Sequence, residues 1–568
     1  MTLLLLLSCT SSSPPLWTAS FPALQMQARM EEESLVFEDS TGALTLRTVG
    51  VGRQSLVPFA ELPVLQKERG THTSRGEWLY PLGSGLGQGW TLTERPAGRD
   101  PLQIVVEAPE AELALWESSQ GVDVRAADGS RWTYSGIQAE DADGRLLPAW
   151  MEVDGSRIHL RVDDAGARWP IQVDPVVTTA ANSIAGSSSA FLGQAVAGGD
   201  VNGDGYDDFL VSAYRISTRG AVYVYLGSAS GIGNTPATTL YPATSGYDGF
   251  FGWEIRTADF NSDGYADTAV SEPEYSNGNV YIFMGSSAGL NATASYVIGG
   301  STSRERNGYA LAVGDYDGDG YDDLVSTSIY RNYYGSADVY YGSVNGLSSL
   351  RMATMDQASS FHDMGYCADA GDINGDGYDD LVVGHYEGAR YYGEMFVYMG
   401  SSTGLASSPA ASYVGPQESI GFGLSVAVFG DVNGDGYEDV GMGVSSLDLP
   451  YGDSGAVYMY YGSASGLPAN PNTTLYGTGY GDRFGRSLEA AGDTNADGYA
   501  DAVIGSPAAT GGTYASGVAK IFPGSASGLV EADADRVYAG TTPYENYASE
   551  VGGVGDLNGD GFDDVAVG

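Results

Sequence analysis

Cysteine is nearly missing from this chain: Cys9 and Cys367 are the two in 568 residues. Disulfides therefore do not hold the fold, and cysteine usage leaves the redox compartment open. Lysine is as scarce, with Lys67 and Lys520 beside 24 arginines. Together the basic residues number 26 against 72 acidic ones, a formal net charge of −46. Such an excess excludes a nucleic-acid partner, because neutralising phosphates requires a basic face. It also argues against docking on anionic lipid. No apolar run is long enough for a membrane-spanning helix. The four histidines, at 72, 159, 362 and 385, show no metal-ligand spacing such as HExxH. Hydrophobic residues make up 42% of the chain, enough for large buried cores and several domains.

Three regions emerge from composition. Residues 1–30 open with "MTLLLLLSCTSSSPP", a short leucine core with Ser8 and Cys9 after it. This is similar to a bacterial lipoprotein signal, in which Cys9 would be lipidated, although no basic residue precedes the leucines. A secretory signal and an untargeted N-terminus are the other readings. Residues 10–30, with "TSSSPP", are expected to form a tether. Residues 31–175 hold six of the eight tryptophans, and Trp17 lies just before them. The same stretch has only two of the 39 tyrosines, Tyr80 and Tyr134. "SRIHLRV" alternates, with Ile158, Leu160 and Val162 on one face and Arg157, His159 and Arg161 on the other. With Asp-Gly turn pairs between such runs, a small β-sandwich or β-rich domain is expected.

Residues 176–568 repeat. "GDVNGDGYDDFLVSA" at 199–213 has six further copies, whose first aspartates are 59, 56, 57, 59, 62 and 63 residues apart. Each repeat has a Gly-containing apolar segment, an acidic loop, an apolar run such as "LVVGH" and an alternating run such as "GAVYVYLGS". A variable stretch closes it. Four strands in about 60 residues with no helical period predict the blades of a β-propeller.

The loop has nine positions: Asp at 1, Asn or Asp at 3, Asp at 5, Gly at 6, an aromatic at 7 and Asp at 9. Hard oxygens at alternate positions form a cage suited to calcium, with position 7 offering its backbone carbonyl. The glycine permits the left-handed turn. The candidate ligands of the first loop are Asp200, Asn202, Asp204, Tyr206 and Asp208; those of the second are Asp259, Asn261, Asp263, Tyr265 and Asp267. The third offers Asp315, Asp317, Asp319, Tyr321 and Asp323, and the fourth Asp372, Asn374, Asp376, Tyr378 and Asp380. The fifth has Asp431, Asn433, Asp435, Tyr437 and Asp439, and the sixth Asp493, Asn495, Asp497, Tyr499 and Asp501. The seventh has Asp556, Asn558, Asp560, Phe562 and Asp564. An EF-hand would need Glu at position 12, where the first loop has Val211 in a strand. A metal-free Asx turn needs one or two such residues and leaves Asp at 1, 5 and 9 in seven copies unexplained. Residues 176–568 carry 48 acidic and 12 basic residues, a net of −36, which seven divalent ions would cut to −22.

The Phe-Gly element, the acidic loop and the Gly505-Ser506-Pro507 element resemble FG-GAP repeats. These build the seven-bladed propeller of integrin α subunits and of many secreted bacterial proteins. The resemblance implies an all-β fold: a seven-bladed β-propeller, its last blade incomplete in this chain, after the small β-rich domain. Two departures stand out. All seven repeats carry the cation loop, where integrins have it in only some. The second interval is the shortest, so the inserted domain of several integrins has no counterpart. FG-GAP repeats are also attached to a phospholipase, whose catalytic domain is not matched by residues 31–175.

No catalytic constellation emerges. "GDSG" at 452–455 lies in a turn with no His–Asp partners. His159 is expected at the surface, His362 and His385 in structural or exposed roles, and Cys367 in a strand as a small buried residue. The third-strand tyrosines are expected to pack between blades. The expectation is a non-enzymatic, calcium-binding scaffold, extracellular or on the cell surface, for a protein or glycan ligand on the propeller face. The alternatives are a lectin-like propeller and an accessory domain of an extracellular enzyme. Ring closure is expected to use residues near Val176–Ala181 as the outermost strand of blade seven, with its third strand supplied from beyond residue 568.

Overall fold

The computed structural model describes residues 18–568, apart from connecting stretches. The longer of these are 58–70, 116–121, 243–248, 357–363, 387–391, 510–515, 531–535 and 540–545; much of 180–189 and single residues including 496 and 560 are also outside it. The Cys9 reading and Asp560 therefore lie outside the described residues. The chain divides into two compact units, Met1–Asn182 and Ser183–Gly568.

The first unit is a sandwich of two antiparallel sheets. One runs Thr18–Phe21, Met26–Glu31, Ser34–Glu38, Ala43–Gly52, Leu102–Glu107, Arg157–Val162, Ala149–Asp154. The other runs Glu112–Leu115, Val122–Arg125, Arg131–Glu140, Ile171–Thr179, Leu86–Leu92, Glu77–Pro81, Thr71–His72. Both contribute to one core that includes Ile104, Leu160 and Val162 from the first and Trp90, Trp132 and Ile171 from the second. Along Arg157–Val162 the residues at 158, 160 and 162 are buried, as the alternation requires. Two expectations are corrected. Part of the supposed tether is strand, with Thr18–Phe21 paired to Met26–Arg29. His159 is half-buried, with Nδ1 3.3 Å from Gln103 Oε1.

The second unit is seven sheets in sequence order: six four-stranded antiparallel meanders and a two-stranded one. In the first, Leu192–Gly199, Asp208–Ala213, Val222–Tyr225 and Thr238–Leu240 come one after another. The first strands of successive sheets are neighbours around the axis, and Val551–Gly555 of the seventh lies beside those of the sixth and the first. Second strands such as Asp208–Ala213 and Asp323–Ser328 are buried at every position. Each is covered on both faces by adjacent blades, so burial does not alternate along it and includes its polar residues, such as Ser212, Ser326 and Thr327. Between blades sit separate apolar cores, as with Val201, Leu210, Phe251 and Tyr281 between the first and second. The third-strand tyrosines Tyr225, Tyr281, Tyr340, Tyr398 and Tyr460 are all buried in such cores.

Ring closure differs from the expectation. Val176 and Val177 pair with Ser135 and Tyr134 on one side and Gly87 and Leu86 on the other, inside the first unit. The strand that begins at Ile171 simply continues through the β-branched Val-Val-Thr-Thr run, where both neighbours offer ladder partners. The unit boundary accordingly falls after Asn182, not after 175. The ring closes without a shared strand: Val196, Phe209 and Val211 of blade one pack on Val554 and Leu557 of blade seven, and the N–H of Ser228 donates to the Leu557 carbonyl at 3.1 Å. Ala491, Val503 and Ile521 of blade six pack on its other side against Ala548 and Val551.

Candidate metal centres

Each acidic loop joins the first and second strands of its blade, so the loops gather at one end of the ring. The first loop shows how the chain coils. Asp200 Oδ1 accepts hydrogen bonds from the N–H of Gly203 (2.6 Å) and Asp204 (3.2 Å), and Oδ2 from that of Gly205 (2.9 Å). Asp204 Oδ1 accepts from Tyr206 N–H at 3.1 Å. Asp208 is buried, accepting from Val201 N–H at 3.0 Å and from Gly227 N–H, beyond the third strand, at 2.8 Å. The position-6 glycines, Gly205 among them, have φ of 85–89° in every loop, a conformation costly for other residues. Asp315, Asp317 and Asp323 each place an oxygen within 4.8 Å of the others.

These carboxylates are crowded at a charge cost that the protein alone does not offset. Burial, reinforced by neighbouring carboxylates and opposed by backbone N–H donors, pushes Asp208, Asp267, Asp380 and Asp439 up to about 7. It pushes Asp323 up to about 8 and Asp501 to about 6. Among the described residues, Oδ2 of Asp267 and Asp380 and Oδ1 of Asp317, Asn495 and Asn558 are buried without a hydrogen-bond partner. A buried polar oxygen left so is costly. Each of these oxygens lies in a different loop, and in the third loop three carboxylates converge. Acceptor-only oxygens of this kind are the donor set of a hard cation, so the residues fit one.

Two positions to which the sequence reading gave no role join the loops to one another. The N–H of residue 8 donates to the carbonyl of residue 1 in the preceding loop in all seven cases. Thus Ala266 bonds Asp200 at 2.9 Å, Asp379 bonds Asp315 at 3.1 Å, and Asp207 bonds Asp556 at 3.2 Å across the closure. Where residue 8 is aspartate, its Oδ2 also accepts from the N–H of residue 1: Asp322 from Asp259 (2.8 Å), Asp379 from Asp315 (2.8 Å), Asp563 from Asp493 (2.7 Å), Asp207 from Asp556 (2.9 Å). At position 4, a Cβ on Gly375 would lie 2.8 Å from Cε1 of Tyr437, the position-7 ring of the next loop. The recurrence of Asp at 8 was visible in the sequence; its partner, in another repeat, was not.

Among the described residues, the others that the sequence singles out do not come together at one place. Ser454 of "GDSG" is buried, its hydroxyl 2.6 Å from the Leu449 carbonyl. His385 is buried with Nδ1 3.4 Å from Glu394 Oε2, and His362 lies outside the described residues. Cys367 Sγ is 3.5 Å from the Gly423 carbonyl, and burial raises its thiol. The sequence reading also missed a polar cluster on the first strands: Arg256 lies 3.3 Å from Glu254 and 3.8 Å from Glu489. Burial pushes Glu489 up to about 8 and raises Glu254 and Asp369 against the pull of Arg256.

A ring of six four-stranded blades and a two-stranded seventh, closed on itself and carrying an acidic turn after each first strand, defines a β-propeller with cation-type loops. Its repeats are FG-GAP-like: the profile of the FG-GAP-like repeat matches residues 200–270, 259–326 and 372–442. The chain is similar to integrin alpha-V of Gallus gallus, 32% identical over 221 residues, 35% of this chain and 20% of that one. It is 30% identical to integrin alpha-5 of Xenopus laevis over 215 residues, again 35% and 20% of the two. It is also 32% identical to the phosphatidylinositol-glycan-specific phospholipase D of Bos taurus over 200 residues, 31% of this chain and 23% of that one. The match thus spans about a fifth of the length of these relatives.

Proposed function

We propose that this protein is a calcium-loaded propeller that acts, outside the cell or on its surface, as a rigid scaffold for a protein partner. The observation that carries the calcium reading is the set of buried loop oxygens without hydrogen-bond partners, one in each of the second, third, fourth, sixth and seventh loops. Calcium would be held by the carboxylates at positions 1, 5 and 9, the side chain at 3 and the carbonyl at 7. It would supply positive charge that lets the buried carboxylate at position 9 stay ionised. The likeness to integrin alpha subunits supports a protein partner, and binding by propellers lives in loops set on a rigid frame. Elemental analysis at millimolar calcium should find about seven equivalents; two or fewer would defeat the reading. A pull-down with the calcium-loaded propeller then identifies the partner.

One observation favours a glycan ligand as the second reading. At the end opposite the acidic loops, rings run across four blades: Tyr214, Phe250, Trp253, Tyr309, Tyr366 and Tyr386, with successive centroids 5.0–6.2 Å apart. Tyr214 and Tyr309 are buried, while the half-buried Phe250, Trp253, Tyr366 and Tyr386 can stack on sugars, and a glycan array separates the two. We read the chain as non-catalytic; hydrolase activity sensitive to chelation would overturn that and favour the accessory-domain alternative.

A further inference from the structure

We propose that residue 8 of each loop is a positioning residue for the calcium site of the loop before it, so that the seven sites are coupled around the ring and unequal in affinity. This rests on the calcium reading of the loops. Residue 1 is the hub of a loop. In the third loop its carboxylate holds the N–H of Gly318, Asp319 and Gly320 at 2.8–3.1 Å and supplies the first ligand. The backbone of that hub is held from outside by the neighbouring loop, through both its N–H and its carbonyl where residue 8 is aspartate. Asp379 does this to Asp315, with bonds of 2.8 and 3.1 Å. Outer partners that fix a ligand's orientation tune metal affinity. The carboxylate of residue 8 also adds a negative charge beside the neighbouring ion.

The chain contains its own controls. Residue 8 is Ala266 in the second loop and Ala500 in the sixth, so the hubs Asp200 and Asp431 receive only the backbone bond. The sites of the first and fifth loops are therefore weaker than those of the second, third, sixth and seventh. Where residue 8 is aspartate, its carboxylate lies over the glycine before the hub: a Cβ on Gly492 or Gly555 would run into Oδ2 of Asp563 or Asp207. Gly199 holds the corresponding place before Asp200, with Ala266 Cβ and Thr257 beside it.

The test uses the full chain and calcium alone, with bound ions counted by native mass spectrometry and affinities taken from calorimetric titration. Asp322→Ala should weaken one site on the order of 10-fold. The loss should persist when the third loop is disabled by Asp319→Ala and vanish when the second is disabled by Asp263→Ala. Asp322→Asn, which keeps an acceptor oxygen, should retain most of the affinity. Ala266→Asp should tighten one site several-fold, an effect abolished by Asp204→Ala; this gain does not depend on a destabilised variant folding. Wild-type protein that binds no calcium would refute the reading of the loops. Wild-type protein that binds seven ions, with Ala266→Asp unchanged or with the Asp322→Ala loss tracking its own loop, would overturn only the coupling.

Discussion

Removing one carboxylate from one loop separates the metal from the fold. Asp435 in the fifth loop is exposed, and its one hydrogen bond as acceptor is from Tyr437 N–H at 3.2 Å. In the absence of metal, Asp435→Ala loses that single exposed bond, roughly 0.5–1 kcal/mol. With calcium the loss is larger. For an extracellular-type site with a Kd of about 10⁻⁴ M, calcium at about 100 times Kd stabilises the native state by about 2.7 kcal/mol. Disabling the site forfeits most of this. A unit of this size responds by somewhat less than the roughly 2–4 °C per kcal/mol of 150–250-residue domains, so Tm should fall by about 3–5 °C in calcium. In chelator it should fall by about 1 °C. Differential scanning calorimetry of both proteins in the two buffers makes the comparison. Equal losses with and without calcium would show that Asp435 acts through the turn and not through an ion, and the cage argument would fail.

Acidity should move the calcium-free and calcium-loaded forms in opposite directions. Burial holds Asp208, Asp267, Asp380 and Asp439 at about 7 and Asp323 at about 8, above the unfolded value of about 3.9. The native state then binds protons that the unfolded chain does not, so in chelator Tm should rise as pH falls from 8 to 5 and be lost again on return through 7–8. Protons compete with the ion for the same oxygens, so calcium affinity should weaken over that window; a chelated protein more stable at pH 8 than at pH 5 would contradict the assignment. Arg256→Met leaves Glu254 and Glu489 without their cation. Breaking a buried pair costs roughly 3–5 kcal/mol, and their partial exposure brings this to about 2–3 kcal/mol. The loss, read from denaturant midpoints, should be larger at pH 9 than at pH 6, where Glu489, held near 8, is protonated.

What the sequence by itself determined is what repeats locally. The nine-residue loop needs only its own residues: the carboxylate of residue 1 reaches N–H groups three to five residues ahead, and the glycine at 6 turns the chain. The four-strand blade is likewise local, because each meander pairs strands adjacent in sequence. Seven copies therefore point to the propeller and its candidate ligands from sequence alone. Tertiary structure decided what lies between copies. The Val176–Thr179 segment has strand propensity wherever it sits, and only the two ladder partners in the first unit settled its place. Arg256 and Glu489 are more than two hundred residues apart, and nothing local pairs them. Residue 8 looked like one more acidic position in a loop already crowded with them. Its carboxylate points out of its own loop, and Asp207 bonds the N–H of Asp556, 349 residues away, because closing the ring brings the first and last blades side by side. Hydrogen bonds within a turn are fixed by chain geometry over a few residues. Those between blades exist only once the whole ring has packed.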